Sequence, residues 1–238
     1  MQRLFSYLDI ELSFSHHAHS NAAVLIIRRI GQHVTQAAEK SWLTVFTKMY
    51  LQWIHKKGYT YYIYQLVLPH KEGTEPKFIH HESKEFKSLL QRIEEEPNPE
   101  VFVIFVEGAY VYGFLKGEEG IHRLKGKLGG IDTGGHIYMV KVEAQDYSGR
   151  PKSWYEATIK QLAEVRKKNR CSWFGALTSG DEEKAQDIVR KFELGEKSSV
   201  EDPQTKVTTR AVEEVLNGSL DPFILARVRL QAAILEDE

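Results

Sequence analysis

Cysteine is almost absent from this chain, since Cys171 is the only one among 238 residues. A disulfide framework and a zinc site made of cysteines are therefore excluded, and the lone thiol weakly favours a reducing compartment. Long apolar runs are also missing, and none approaches the roughly 20 residues of a membrane span, so we expect no membrane partner. Neither sign of charge is in excess, because 32 Lys and Arg oppose 33 Asp and Glu. A polyanion would have to bind at a local basic patch.

Hydrophobic periodicity divides the chain into a mixed first part and a helical second part. With 42% hydrophobic residues, the chain can bury one large or two small domains. Apolar residues at three- and four-residue steps predict helices, and β-branched or aromatic runs predict strands. In the first part we predict a lead-in at 1–21, helices at about 36–57 and 83–95, and strands at 22–30, 59–68, 77–82, 101–108 and 136–144.

Two regions carry other signals. The glycine-rich stretch 109–135 is predicted to be a structured loop with one helical turn. Residues 145–151 form a turn-rich bridge without a strand pattern, and the chain beyond the bridge is predicted to be helical. The helices of this second part are expected at about 152–170, 181–193, 208–216 and 219–235.

Three stretches of the sequence carry specific motifs: MYLQWIHKKGY (49–59), EGAYVYGFLKGEEGIHRLKGK (107–127) and TKVTTRAVEEVLNGSLDPFI (205–224). They resemble class I peptide chain release factors of the release factor 2 type. The first is similar to a helix of the family's codon-reading domain. The second matches the family pattern Gly-x-Tyr-x-Tyr-Gly…Gly-x-His-Arg-Leu and continues into IDTGG (131–135). The third is similar to Thr-Gly-x-x-Thr-Arg…Leu-x-Gly-x-Leu-Asp-x-Phe-Ile.

The elements that perform termination in that family are missing here. Where the family has a codon-reading Ser-Pro-Phe, this chain has Leu128-Gly129-Gly130-Ile131. Glycine has no side chain to bond a base edge, and isoleucine has no ring to stack on one. The family's Gly-Gly-Gln domain would lie at the bridge 145–151, whose seven residues reach at most about 25 Å. The resemblance therefore implies a degenerate release factor that is not an enzyme.

A partial match to the catalytic loop occurs at Gly31-Gln32-His33-Val34. The family's loop reads Gly-Gly-Gln-His-Val, but here Ile30 stands at the first glycine and the segment precedes the first motif helix. A match of this length is weak on its own. We interpret it as a connection between a strand and a helix.

The resemblance also implies an architecture. We expect an α+β fold with a largely antiparallel sheet, helices on one face, and a C-terminal helical segment packed back on it. The predicted organisation is a lead-in at 1–21, a release-factor-like codon-reading domain at 22–146, and a C-terminal helical region at 147–238 that forms one unit with that domain.

The stretch HRLKGK places basic residues at alternate positions of a glycine-flanked segment. Alternation in an extended chain puts them on one side, where they suit a phosphate backbone, and neighbouring glycines let main-chain amides approach phosphate. A solvated basic loop is the alternative interpretation. The candidate RNA-binding residues of this stretch are His122, Arg123, Lys125, Lys127, Gly129 and Gly130.

Other candidates are weaker. Basic residues at the end of the predicted helix 152–170 could bind RNA, but they also complement the helix dipole; they are Arg166, Lys167, Lys168 and Arg170. The histidines at 16, 17 and 19 have no evident fourth ligand, so no metal is expected, and no cofactor is indicated. Tyr59, Tyr61, Tyr62 and Tyr64 could stack bases, although we expect Tyr61 to cover a helix while the other face of its strand is wet.

The resemblance extends to function. A plastid branch of the release factor 2 family acts in transcript stability without the codon-reading and hydrolytic elements. We therefore expect a non-catalytic protein of the chloroplast stroma that binds single-stranded RNA, an organellar mRNA. The alternatives are a ribosome-associated factor that occupies the decoding site without peptide release, and a mitochondrial or cytoplasmic location.

Overall fold

The computed structural model describes residues 21–30, 42–64, 78–95, 101–128, 131–132, 136–145 and 188–236. Residues 1–20 of the predicted lead-in, the segment 31–34, the glycines at 129 and 130 and the predicted helix 152–170 lie outside these ranges. The described residues before 146 and after 187 belong to one compact unit.

The described residues form both strands and helices. The strands are β1 (Ala22–Ile30), β2 (Thr60–Tyr64), β3 (Phe78–His80), β4 (Val101–Glu107), β5 (Gly120–Leu128), β6 (Ile131–Asp132), β7 (His136–Gln145), β8 (Ile188–Leu194), β9 (Ser199–Glu201) and β10 (Thr208–Thr209). The helices are α1 (Trp42–Lys56), α2 (Lys84–Glu95), α3 (Val111–Lys116), α4 (Val212–Leu216) and α5 (Asp221–Glu236).

The strands form one sheet in the order β10-β9-β8-β5-β7-β1-β4-β2-β3, and β6 pairs with β5. The pairing of β5 with β8 is parallel, and the other recorded pairings are antiparallel. The expected α+β fold with a largely antiparallel sheet is therefore confirmed.

Helix α1 forms because its apolar residues recur at three- and four-residue steps, which gives one apolar stripe. Phe46, Met49 and Trp53 on this stripe are buried in the same cluster as the inward residues of β1, β4 and β7. The chain leaves the helix at Gly58, whose φ of 72° is a left-handed conformation that glycine adopts without strain. The core therefore lies between α1 and one face of the sheet.

Helix α5 packs its apolar residues into this same core. Phe223, Ile224 and Val228 are each 1% exposed and belong to the cluster that contains α1. The expected return of a C-terminal helix onto the sheet is confirmed.

Several predictions about secondary structure were wrong. The second part of the chain, predicted to be helical, contains the strands β8, β9 and β10, and β10 takes up the first residues of the helix predicted at about 208–216. The helix expected at about 181–193 is contradicted over its second half, where the residues form β8. From Arg190 to Leu194 burial alternates residue by residue, which is the period of a strand; the polar residues that precede this segment favoured the helical interpretation. The glycine-rich stretch 109–135 is also not a loop throughout, since Gly120–Leu128 is a strand in the middle of the sheet.

The two faces of the sheet differ in a way that alternation alone did not predict. The face opposite α1, here called the outer face, carries Tyr62 and Tyr64 and is expected to be exposed to solvent. Several of its residues are nevertheless at most 2% exposed, namely Val24, Tyr64, Val103 and Phe105. Continuous apolar runs such as VFVIFV bury both faces of a strand. By contrast, the outer positions Arg123 and Lys125 of β5, Lys191 and Glu193 of β8, and Ser199 and Glu201 of β9 are polar and at least partly exposed.

Candidate nucleic-acid interface

A buried ion pair joins β8 to the middle of the sheet. The guanidinium of Arg190 donates from both terminal nitrogens to the Glu118 carboxylate at 2.7 and 2.6 Å, and the Tyr50 hydroxyl donates to the same carboxylate at 2.8 Å. All three residues are 0% exposed. Burial alone would raise the pKa of Glu118, but the neighbouring Arg190 charge outweighs burial and lowers it. Glu118 and Arg190 therefore both stay charged, and their charge-assisted hydrogen bonds connect α1, β8 and the turn before β5.

His122 lies beside this pair and does not face the solvent. Its Nε2 is 2.9 Å from the carbonyl oxygen of Glu118, so Nε2 carries the hydrogen and donates. Its Nδ1 has no hydrogen-bond partner, and burial lowers the pKa of the ring to about 4. The imidazole is therefore neutral and 0% exposed. The prediction that His122 contacts RNA was wrong, because strand alternation turns this side chain into the core.

A second buried pair holds α5. Arg227 donates to both carboxylate oxygens of Asp202, at 2.5 Å and 2.8 Å, and to the carbonyl oxygen of Val189 at 3.0 Å. Asp202 also accepts from the backbone amides of Gln204 and Thr205 at 2.9 and 3.1 Å. Burial would raise the pKa of Asp202, but the hydrogen bonds from Arg227 lower it. The pair joins the turn after β9 to α5 and to the backbone of β8.

The three motif stretches contact one another in the fold. Trp53, from the first stretch, donates its indole nitrogen to Asp221 of the third at 2.8 Å, and Lys57 forms an ion pair with the same carboxylate at 2.7 Å. Arg190 lies over the ring of Phe223 at 4.6 Å while it bonds Glu118 of the second stretch. The residues behind the family resemblance therefore build the scaffold of this fold.

Arg123 and Lys125 lie on the outer face of β5. Their neighbours on the strand, His122 and Leu124, point into the core, so alternation turns Arg123 and Lys125 the other way. Arg123 is partly exposed and Lys125 is exposed. The side chain of Lys127 lies outside the described residues, as do Gly129, Gly130 and the basic residues Arg166, Lys167, Lys168 and Arg170.

Strand β8 adds charged residues that sequence analysis missed. In the parallel register, Lys191 lies beside Arg123, and Glu193 lies beside Lys125. Glu201 of β9 lies on the other side of Lys191. The missed cation is Lys191, and the signal that could have revealed it is the alternation of polar and apolar residues in Lys191-Phe192-Glu193-Leu194.

The tyrosines of β2 divide between the faces. Tyr61 is 6% exposed and stacks on His81 with ring centroids 4.4 Å apart, which confirms its expected place in the core. Tyr62 is partly exposed on the outer face, where its ring lies 4.9 Å from that of His80. Tyr64 is 1% exposed and burial raises its pKa to about 12, so it offers no ring to a base.

The described ranges contain neither a metal-binding cluster nor a membrane-spanning helix. Within them, no group of three His, Cys, Asp or Glu side chains is arranged to hold a metal ion. None of the helices in these ranges is both long enough and apolar enough to cross a bilayer.

Comparisons with known proteins bear on the fold. No protein-family model matches the sequence, and no curated protein matches it significantly. Among solved structures, the chain is similar to RF2 of Thermus thermophilus with a TM-score of 0.59 and 18% sequence identity, over 98% of this chain and 74% of that one. At this identity the likeness concerns the fold, and the conclusion is that this chain has a release-factor-like fold.

Proposed function

We propose that this chain is a non-catalytic protein that binds single-stranded RNA on the outer face of β5 and β8. The observation that carries the proposal is the orientation of Arg123, Lys125 and Lys191. These three cations face away from the core and are at least partly exposed. Arg and Lys side chains on an exposed strand face suit the phosphates of a nucleic acid.

The fold and the sequence support the absence of catalysis. The scaffold of a release factor is kept, whereas the tripeptides Gly-Gly-Gln and Ser-Pro-Phe do not occur among the 238 residues. A protein that keeps the scaffold without those tripeptides would bind without hydrolysing. On the resemblance alone, we propose an organellar mRNA of the plastid as the target.

The experiment is a binding titration with a pool of random-sequence single-stranded oligoribonucleotides and with the same pool annealed into duplexes. Single strands should bind more tightly, because their bases are exposed to side chains such as Tyr62. Binding should weaken with salt, with a slope of about −0.7 per phosphate neutralised. Replacing Arg123 and Lys125 together by alanine should lower that slope by about one unit.

The matched control replaces Lys84 and Lys87 of α2, which are exposed and lie at the β3 end of the sheet. The control makes the same change in net charge, so it should leave the slope unchanged. Equal effects of the two double variants would refute this site, and an absence of RNA binding by the intact chain would refute the function.

A second candidate function is association with the ribosome without peptide release. The observation that favours it is the fold likeness to RF2 of Thermus thermophilus. Sedimentation with purified ribosomes separates the two candidates. A chain that sediments with ribosomes but does not bind the free RNA pool would support the second.

A further inference from the structure

We infer that the phosphate-binding element is the cross-strand pair Arg123–Lys191, and not the run of alternate basic residues along β5. The inference rests on the proposed function and names the residues through which RNA would be held. Lys191 lies on a strand that is separated from β5 by residues 129–187 of the sequence, so the element exists only in the folded chain.

The first argument is the charge environment of the pair. Arg123 has two lateral neighbours on the sheet, Ile137 of β7 and Lys191 of β8. Adjacent strands lie about 4.8 Å apart, so two cations stand side by side without a carboxylate between them. Like charges directly opposite each other destabilise a sheet. A phosphate bound between them would replace that repulsion by two attractions.

The second argument is the different environment of Lys125. Its lateral neighbour on β8 is Glu193, which is exposed as Lys125 is. An opposite charge at that position partly cancels the field of Lys125 and competes with a phosphate for it. Glu201 lies beside Lys191 in the same way, but Lys191 has Arg123 on its other side. The positive potential therefore concentrates between Arg123 and Lys191.

The third argument is that the spacing of the pair is set by the core. Directly behind these residues, His122 and Arg190 are in register and 0% exposed, and Arg190 is held by Glu118. Three positions after Arg123, Gly126 has φ 113°, and a Cβ there would lie 1.9 Å from the carbonyl oxygen of Leu194. From His122 to Gly126 the two strands thus approach closely and in one register. A pre-organised pair loses little side-chain and backbone freedom when it binds.

The test compares single charge removals on the same surface. At about 0.1 M salt, removing one phosphate contact corresponds to about a fivefold loss of affinity and a fall of about 0.7 in the salt slope. We expect that loss for Lys191→Gln with the random single-stranded pool. Lys125→Gln makes the same change in charge and should cost less than about twofold, whereas Glu193→Gln should strengthen binding. Lys84→Gln is the distant control.

A second readout does not involve RNA. Arg123→Glu creates an opposite-charge pair with Lys191 and should raise the denaturation midpoint of the free protein while it weakens RNA binding. Lys125→Glu places two carboxylates side by side with Glu193 and should lower the midpoint. Opposite shifts of the two midpoints would confirm that Arg123 lies beside a positive charge and Lys125 beside a negative one.

The outcomes separate the inference from the function. If Lys125→Gln weakens binding as much as Lys191→Gln, or if Lys191→Gln has no effect, the inference is wrong and RNA binding stands. If Arg123→Glu lowers the midpoint, the like-charge pair is not formed and the inference is also wrong. If the intact chain does not bind the pool, the proposed function fails and the inference fails with it.

Discussion

At the scale of single residues, the tripeptide His122-Arg123-Leu124 shows how a strand separates neighbouring side chains. Arg123 is partly exposed on the outer face, whereas His122 and Leu124 are buried. A buried imidazole whose Nδ1 has no hydrogen-bond partner cannot accept a second proton without cost, because the new N–H would be unpaired in the core. His122, which the sequence suggested as an RNA contact, therefore makes the stability of the folded protein depend on pH.

We predict that His122 makes the protein less stable as the pH falls from about 6.5 to about 4. The folded pKa is about 4 and the ordinary value is 6.5, so in this window the unfolded chain binds a proton that the folded chain does not. The free energy of unfolding should fall by up to about 3 kcal/mol. Glu118 and Asp202 have pKa values lowered from 4.5 and 3.8, so their contributions begin to be lost only below about pH 4.5.

Urea denaturation at a series of pH values checks this prediction. His122→Gln can keep the donor to the Glu118 carbonyl but does not titrate, so the decline between these pH values should flatten. His55→Gln, on the exposed side of α1, is the matched control and should keep the decline. A wild-type decline that persists in His122→Gln would assign the effect to another group.

At the scale of elements, a buried ion pair between Arg190 and Glu118 helps to hold β8 in the sheet. Arg190 reaches from β8 to Glu118 before β5, and α5 covers it through Phe223. This parallel pairing joins chain segments that are remote in sequence, so no turn sets its register. Arg190 and Glu118 are both 0% exposed, so any register that separated them would leave a buried charge without its partner. The ion pair therefore forms only in the native parallel register.

We predict that Arg190→Met destabilises the protein by about 3–5 kcal/mol, because the Glu118 carboxylate would remain buried without its partner. Adding Glu118→Leu should recover part of that loss, since no buried charge then remains. The free energy of unfolding in urea measures both. The exposed pair Lys48–Glu94 supplies the control, and Lys48→Met should cost at most about 1 kcal/mol. If the double variant lost as much free energy of unfolding as Arg190→Met and Glu118→Leu do together, the unpaired buried charge would not be the cause of the destabilisation.

At the scale of the whole molecule, the chain combines a release-factor-like scaffold with a sequence that lacks the catalytic tripeptide. Strand β7 ends at Gln145 and strand β8 begins at Ile188. The residues between these two strands contain no Gly-Gly-Gln. In the family that the sequence resembles, the domain that carries this tripeptide follows the strand that corresponds to β7.

We predict that the protein releases no peptide from ribosomes programmed with a stop codon. The measurement is release of a labelled peptide, with RF2 of Thermus thermophilus as the positive control. Release above the level without any factor would contradict the prediction and the proposed function together. Gln32 would then be the residue to replace by alanine, because the partial loop match at 31–34 is the remaining candidate.

Much of the fold could be predicted from local pattern. The strands at 22–30, 101–108 and 136–144 and the helix at 83–95 were placed within about one residue of their observed bounds, because strong periodicity leaves one way to bury each segment. The end of α1 was predicted from Gly58 in the same way. Strand β8 was not, since the polar and apolar residues alternate only from Lys191 to Leu194, which is too short a pattern to outweigh a helical interpretation.

The candidate site was predictable only in part. The sequence by itself determined that Arg123 and Lys125 share one side of an extended segment, because side chains alternate in any strand. It also determined that neither termination tripeptide is present. Only the tertiary structure decided that His122 is buried, that Lys191 stands beside Arg123, and that Glu193 stands beside Lys125. Lateral neighbours in a sheet come from segments far apart in the chain, and their register depends on the buried contact between Arg190 and Glu118, which no local pattern encodes.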